Sequence, residues 1–349
     1  MNATDPHNAT VQRRQTQASY ARLIPVQRIK QLSQRTWFRP VTDAAGCWLL
    51  IIAAWCVVAW HPVWWAILPA MVVVGNRFYA LFIIGHDGLH RRLFKRRWLN
   101  DRFSDLLIFA PIGGITRLNN RNHLLHHAHL ATDDDPDRHK YACFNKAGVV
   151  LMLGFLIGLT SVARSVGNVF FGNKPATSSD RSSDGYRATD VLLLGVWQLG
   201  LIVGLTAAIG WWAYPVMWLA PVYVFMVLAD NLRSFCEHSH PEADDLADEH
   251  RLITYHSPIW ERWLIAPMSM NYHVAHHLWP TIPYYHLRQA DRELHAAGGE
   301  TDLIWRGSYT GYLLQYFRAL PMEACRASSK KVDDQQQIPA SAEPGRRAA

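Results

Sequence analysis

Cysteine is scarce in this chain. Five stand in 349 residues (Cys47, Cys56, Cys143, Cys236 and Cys325), with no paired spacing, and two of them lie in one apolar run. That excludes a disulfide framework and a cysteine-based zinc site. A cleavable signal is also missing, because the first forty residues are polar and arginine-bearing and hold no short apolar core followed by a small-residue cleavage site. Charge itself is absent over long stretches. From Ala44 to Trp60, from Val191 to Ala213 and from Tyr214 to Ala229 there is no Asp, Glu, Lys or Arg, and each run is near the length of a bilayer crossing. Two separate soluble domains are thereby excluded. The net charge of +7 gathers beside apolar runs, so it reads as membrane topology and contact with anionic lipid; no nucleic-acid partner is implied.

Four spans are expected, at about 43–60, 63–84, 191–213 and 214–230, paired into two hairpins. Trp60, Trp64 and Trp65 crowd the first turn, and Trp211, Trp212, Tyr214 and Trp218 the second, as aromatic interface belts do. Neither turn carries Lys or Arg. The opposite ends of the first hairpin carry Arg28, Lys30, Arg35 and Arg39 on one side and Arg91, Arg92, Lys95, Arg96 and Arg97 on the other, which predicts that those ends face the cytoplasm. Arg77 interrupts the second run and is expected to snorkel at the cytoplasmic boundary while its helix continues out of the bilayer. A shorter apolar stretch at 148–171 is expected to be interfacial, since a fifth crossing would separate histidines that must meet. Residues 1–39 read as a disordered cytoplasmic tail, 301–325 as a cytoplasmic segment after the main domain at 40–300, 172–187 as a solvated linker and 326–349 as a second disordered tail. The fold class is thus all-α: an integral membrane protein of four transmembrane helices under a helical cytoplasmic cap. No internal repeat is visible beyond two hairpins of similar design.

Against these absences stand eighteen histidines, eight of them in three clusters: His86 with His90, His123 with His126 and His127, and His273 with His276 and His277. Residues three or four apart share a helix face, so each cluster aims two or three imidazoles at one point. His238, in Glu237-His238 after the last apolar run, is a ninth candidate. Nine imidazoles exceed what one zinc ion uses, and two metal ions are the simplest reading. The zinc-protease pattern His-Glu-x-x-His is absent, because Asp87 follows His86 and neither later cluster has the Glu. Every cluster lies at or beyond a span's end, which excludes a haem held within two spans, and the span interiors lack the ionisable pathway of a transporter. Imidazole suits iron, copper, zinc and nickel alike, so ligand type alone does not name the metal. What remains is a cytoplasm-facing dimetal centre at the membrane surface, reached by a lipid-like substrate. Asp87, Asp137 and Glu237 are expected to accept the distal N–H of liganding imidazoles. Arg117, Arg121, Arg233 and Arg288 read first as interfacial anchors, with a grip on an anionic head group or a redox partner as the alternative, and His129, His240, His256 and His286 as residues near the clusters but off their pattern.

The clusters His86-Asp-Gly-Leu-His90, His123-Leu-Leu-His-His127 and His273-Val-Ala-His-His277 resemble the three histidine boxes of the membrane fatty acid desaturase superfamily. That superfamily includes acyl-lipid desaturases, related hydroxylases and carotenoid ketolases. The flanks are similar too: Asp135-Pro136-Asp137 follows the second box, Arg233 with Glu237-His238 follows the last span, and Asn271-Tyr272 precedes the third box, which leads into Pro280-Thr-Ile-Pro283. The resemblance covers about residues 40–300. It implies two iron ions held by His86, His90, His123, His126, His127, His273, His276 and His277 with His238 as the extra ligand, dioxygen as co-substrate, and electrons from a ferredoxin or rubredoxin with its reductase. It further implies a dioxygen-dependent oxidase of the bacterial inner membrane that introduces a double bond or hydroxyl into an aliphatic chain. Where acyl-CoA desaturases carry an Asn four residues before the extra histidine, this chain has Ser234, and Asn231 is the candidate substitute. The three-residue gap in the first box resembles acyl-lipid desaturases and carotenoid ketolases instead. Oxidation of a carotenoid ring is therefore the alternative chemistry, and metal handling without catalysis the alternative outside it.

Overall fold

A computed structural model describes residues 22–130, 132, 134–141, 149–160, 163, 185–239, 252–298 and 304–319. Four helices, Phe38–Trp60, Trp64–Leu89, Ala188–Ala208 and Pro215–His238, are each long and apolar enough to cross a bilayer. The second and fourth run past the apolar stretches that announced them and carry His86 and His238 in their last turns. With 26 residues the second helix is about 39 Å long, against about 30 Å of hydrocarbon. It is also the most enclosed of the four.

Lipid tails are as apolar as leucine, so close packing rather than exclusion of water holds such helices together. Glycines supply the close approaches. A Cβ on Gly75 of the second span would stand 2.4 Å from the Pro221 carbonyl oxygen and 2.6 Å from Phe225 Cβ of the fourth. Gly85 and Gly88 sit in the same way against Ile108 and Ser104. Between the spans lies an aromatic stack in which Trp48 faces Trp218 at 6.0 Å and Trp197 at 5.7 Å, with Phe78 edge-on to Trp218 at 5.1 Å. Trp218, expected at the interface belt, is therefore fully buried. The fourth span opens with two π-helical turns, Pro215–Leu219 and Val222–Met226, whose longer repeat turns a different face inward than α-helical spacing gives. Trp60, Trp64, Trp65 and Trp211 at the two hairpin turns are exposed, as the belt requires.

Arg77 does not snorkel. It is buried, its Nε donates to Asn76 Oδ1 at 3.0 Å, and its guanidinium lies 4.6 Å from the centre of the Trp263 ring. A helix outside the spans, Ile259–Leu264, covers it, so the charge is met by an aromatic face and an amide.

Above the spans the second and fourth helices meet a cap of short elements: Thr116–His129, His273–Leu278, Tyr284–Ala296, Tyr309–Ala319 and a two-stranded parallel sheet, β1 Ile253–Tyr255 and β2 Ile304–Arg306, with Thr254 opposite Trp305. This small sheet is the one described departure from an all-helical chain. Residues expected in the disordered tail belong to the cap. Val26–Leu32 is a helix with Leu32 and nearby Ile24 buried, Arg28 clasps the Glu293 carboxylate (2.6–3.0 Å), and the Thr36 amide donates to Tyr285 Oη at 2.8 Å. The segment after residue 300 is likewise built in. Buried Glu261 accepts from the Tyr309 and Thr310 amides and the Ser308 hydroxyl, capping the helix Tyr309–Ala319 against the β-sheet. Of the stretch expected to be interfacial, Val149–Leu156 is an eight-residue helix, about 12 Å long. Its Met152 and Phe155 pack on Phe235 and Tyr255 within the cap. The described residues do not reach the tail segments 1–21 and 326–349, nor most of 161–184.

Gly75→Ala is expected to destabilise the protein by about 1–3 kcal/mol, because backbone and a Cβ stand in the way. Gly46→Ala, with nothing within 4 Å, serves as the control in the same bundle. Thermal unfolding of both variants in detergent checks this, and equal midpoints contradict the packing described.

Candidate metal centre

Four elements bring the nine imidazoles together. The end of the second span carries His86 and leads into His90; Thr116–His129 carries His123, His126 and His127; the fourth span ends at His238; and His273–Leu278 carries His273, His276 and His277. These are the histidines that the spacing singled out, and they fall into two nests. In the first, one ring nitrogen from each of His86, His90, His123, His127 and His276 lies within 4.8 Å of all the others; in the second the same holds for His126, His238 and His277. His273 adjoins the second nest, its Nε2 2.9 Å from Nε2 of His238. His127 and His277 stack between the nests with ring centres 4.2 Å apart.

The ring nitrogens face each other. Nε2 of His123 and His90 are 2.7 Å apart, and Nε2 of His276 and His127 are 3.1 Å apart. Nε2 of His277 is buried with no hydrogen-bond partner among the described residues. Burial first, and neighbouring imidazoles next, hold His123, His127, His273, His276 and His277 well below the ordinary histidine value; burial and then Arg92 bring His90 down to about 4. All are neutral at pH 7. A neutral imidazole offers a lone pair, and a ring of them around one point fits a cation of the nitrogen-binding transition series.

Carboxylates orient part of this array. His126 Nδ1 lies 3.0 and 3.1 Å from the two oxygens of Asp135, which leaves Nε2 to face the nest. Asp135 is itself buried and held by the Asp137 amide at 2.8 Å and by the Tyr141 hydroxyl. Glu237 stands 3.2 Å from His273 Nδ1 and accepts from Arg233 at 2.6 Å and from Tyr309 Oη at 2.7 Å. The structure thus brings Glu237 to an imidazole but gives the expected role of Asp137 to Asp135, two residues earlier. The Asp137 carboxylate pairs with Lys140 at 3.2 Å instead. Asp87 also departs from expectation, since its Oδ2 accepts the Tyr284 amide at 2.7 Å and anchors the helix Tyr284–Ala296 by its N-terminus. Asn231 is turned away, its amide donating to the Phe155 carbonyl at 2.8 Å, while Ser234 faces the cavity. Arg233, expected as an interfacial anchor, is buried with Glu237, Asp230 and Tyr79 as partners. His256 pairs with Asp291 and His286 with the Leu32 carbonyl, outside both nests; His240 lies outside the described residues.

A cavity of about 160 Å³ opens beside both nests, touching His86 and His123 of the first and His126, His238 and His277 of the second. Phe82, Leu89 and Phe109 form its apolar wall, and Asn119, Lys140 and Asp230 its polar one. Nothing in the sequence marked Lys140 or Asn119 as cavity residues.

Comparison with known proteins agrees with this geometry. A model of the fatty acid desaturase family matches residues 62–309. The chain is 26% identical over 305 residues to an sn-1 acyl-lipid omega-3 desaturase (ferredoxin) of a Nostoc species, covering 77% of this chain and 80% of that protein. It is 26% identical over 245 residues to an sn-1 oleoyl-lipid 12-desaturase of a Synechocystis species, covering 66% and 69%. To a beta-carotene ketolase of a Paracoccus species it is 26% identical over 246 residues, covering 68% and 87%. With three boxes of histidine gathered beside four helices of membrane-crossing length, and with a family match that spans well over half its length, this chain belongs to the fatty acid desaturase family.

Proposed function

We propose that the chain is a dioxygen-dependent di-iron oxidase that introduces a double bond into an aliphatic chain of a membrane lipid, as an acyl-lipid desaturase does. The observation that carries this is the pair of imidazole nests beside a cavity walled by Phe82, Leu89 and Phe109. His86, His90, His123, His127 and His276 are assigned to one iron and His126, His238, His273 and His277 to the other. Two irons supply the redox chemistry that activates dioxygen toward an unactivated C–H bond. The chain's own share is positioning: Asp135 and Glu237 fix ring orientation, the apolar wall holds the substrate's methylenes, and Asp87 locks the third-box region to the second span. Electrons come from a ferredoxin-type or rubredoxin-type carrier with its reductase, and the termini and the metal centre face the cytoplasm of a bacterial cell, the sequence placing its basic residues at that end of the spans. A second reading, oxidation of a carotenoid ring methylene, is favoured by the 87% coverage of the Paracoccus ketolase.

Mass spectrometry of lipids from a host expressing the chain, against the same host without it, is expected to show fatty acids that have lost two hydrogens. A keto or hydroxy carotenoid in a carotenoid-supplied host, with unchanged fatty acids, selects the second reading. His276→Ala is expected to abolish turnover with the protein still in the membrane, and persistent product contradicts its assignment. Asp135→Asn keeps the shape but loses the charge behind His126, so metal affinity or activity should fall by about 10–100-fold. Metal titration of the purified variant measures this. A reporter fused in the turn at 61–63 should lie outside the cytoplasm and one fused after residue 319 inside it; the reverse pattern contradicts the orientation.

A further inference from the structure

In the cap, with none of the nine nest histidines in its lining, a second cavity of about 240 Å³ is lined by three arginines, Arg262, Arg288 and Arg292, together with Ser257, His256, Tyr272 and Asp291. No carboxylate among the described residues neutralises the arginines. Asp291, the one acid in the lining, is buried and already engaged by His256 Nε2 at 2.8 Å and by Trp305 Nε1 at 3.2 Å. Two polar groups wait for a partner. Ser257 is 4% exposed, and its Oγ has no hydrogen-bond partner among the described residues; Nε of Arg262 is buried and likewise unpartnered. A buried hydroxyl without a partner carries a desolvation cost that an acceptor in the cavity removes. Three guanidinium groups select that acceptor as an anion with several oxygens, which is to say a phosphate.

The source of the phosphate follows from the helix that supplies Arg262. In Ile259–Leu264 the residues Ile259, Trp260, Trp263 and Leu264 are all exposed, and at about 100° per residue they form one continuous apolar face. Arg262 stands at the edge of that face, and Glu261 points inward to cap Tyr309–Ala319. The helix is tied to a membrane span, because Asn76 Nδ2 donates to the Trp263 carbonyl at 2.7 Å and Arg77 lies over the Trp263 ring. An apolar face rich in tryptophan and fastened to a span lies in the membrane interface, with basic residues at its edge at headgroup depth. We infer that the Arg262–Arg288–Arg292 cavity binds the phosphate of an anionic membrane phospholipid, with Ser257 donating to one of its oxygens.

Native mass spectrometry of the full chain in detergent, with phosphatidylglycerol and phosphatidylcholine of the same acyl chains and with inorganic phosphate alone, tests this. Phosphatidylglycerol is expected to be retained about ten-fold more strongly than phosphatidylcholine. Arg288→Gln with Arg292→Gln, both exposed and outside the histidine nests, should erase that preference without moving the thermal midpoint. Ser257→Ala should weaken it part of the way. Equal retention of the two lipids, or an unaltered preference in the double variant, overturns the inference. Inorganic phosphate binding as tightly as phosphatidylglycerol assigns the cavity to a soluble anion and overturns the lipid. Unchanged lipid binding with slowed electron delivery from an acidic ferredoxin gives the arginines to the carrier and overturns it as well.

Discussion

Nine buried or half-buried imidazoles turned toward one another through their ring nitrogens are the arrangement on which the rest of the molecule depends. Ring nitrogens of His90 and His123, of His238 and His273 and of His127 and His276 face each other at 2.7–3.1 Å, so in each pair at most one ring donates and the other offers a lone pair. A cation held there would join four elements far apart in sequence, so its binding free energy would also be folding free energy. The rest of the molecule is arranged to make the meeting possible. The second and fourth spans overrun the hydrocarbon to carry His86 and His238 to the site, and the cap returns the third cluster between them.

Carboxylates on this scaffold do two different jobs. Asp135 and Glu237 stand behind imidazoles, while Asp87 and Glu261 sit at the starts of helices and pin cap elements in place. The difference is geometric rather than chemical. Asp87 is next in sequence to His86, yet on a helix successive residues point about 100° apart, so it faces the Tyr284 amide and not the nest.

That same geometry sets what the chain's residues disclosed beforehand. Recurrence of histidine at three and four residues is a one-element property, so the eight box imidazoles were legible, as were the four spans from their missing charge, while His238 was marked only by its place after the last span. Properties that depend on which element packs where were not. Asp135 and Asp137 are equally placed beside the second box, and only the bend at Pro136 and the Tyr141 hydroxyl choose between them. Arg77 looked like a residue in need of the surface because Trp263, nearly two hundred positions away, was not known to cover it. Trp218 was misplaced by π-helical turns that α-helical periodicity does not describe. Val26–Leu32 was hidden because its buried residues, few and spaced among basic ones, gain their meaning only against Glu293 and Tyr285.

Metal content per chain, measured by elemental mass spectrometry on protein loaded with iron without oxygen, addresses the two-nest arrangement most directly. The wild-type chain is expected to hold two ions. Replacing His126 and His277 together by alanine should leave one, since both belong to the second nest and the five histidines of the first are untouched. A single ion in the wild type, or an unchanged count in the double variant, contradicts the arrangement.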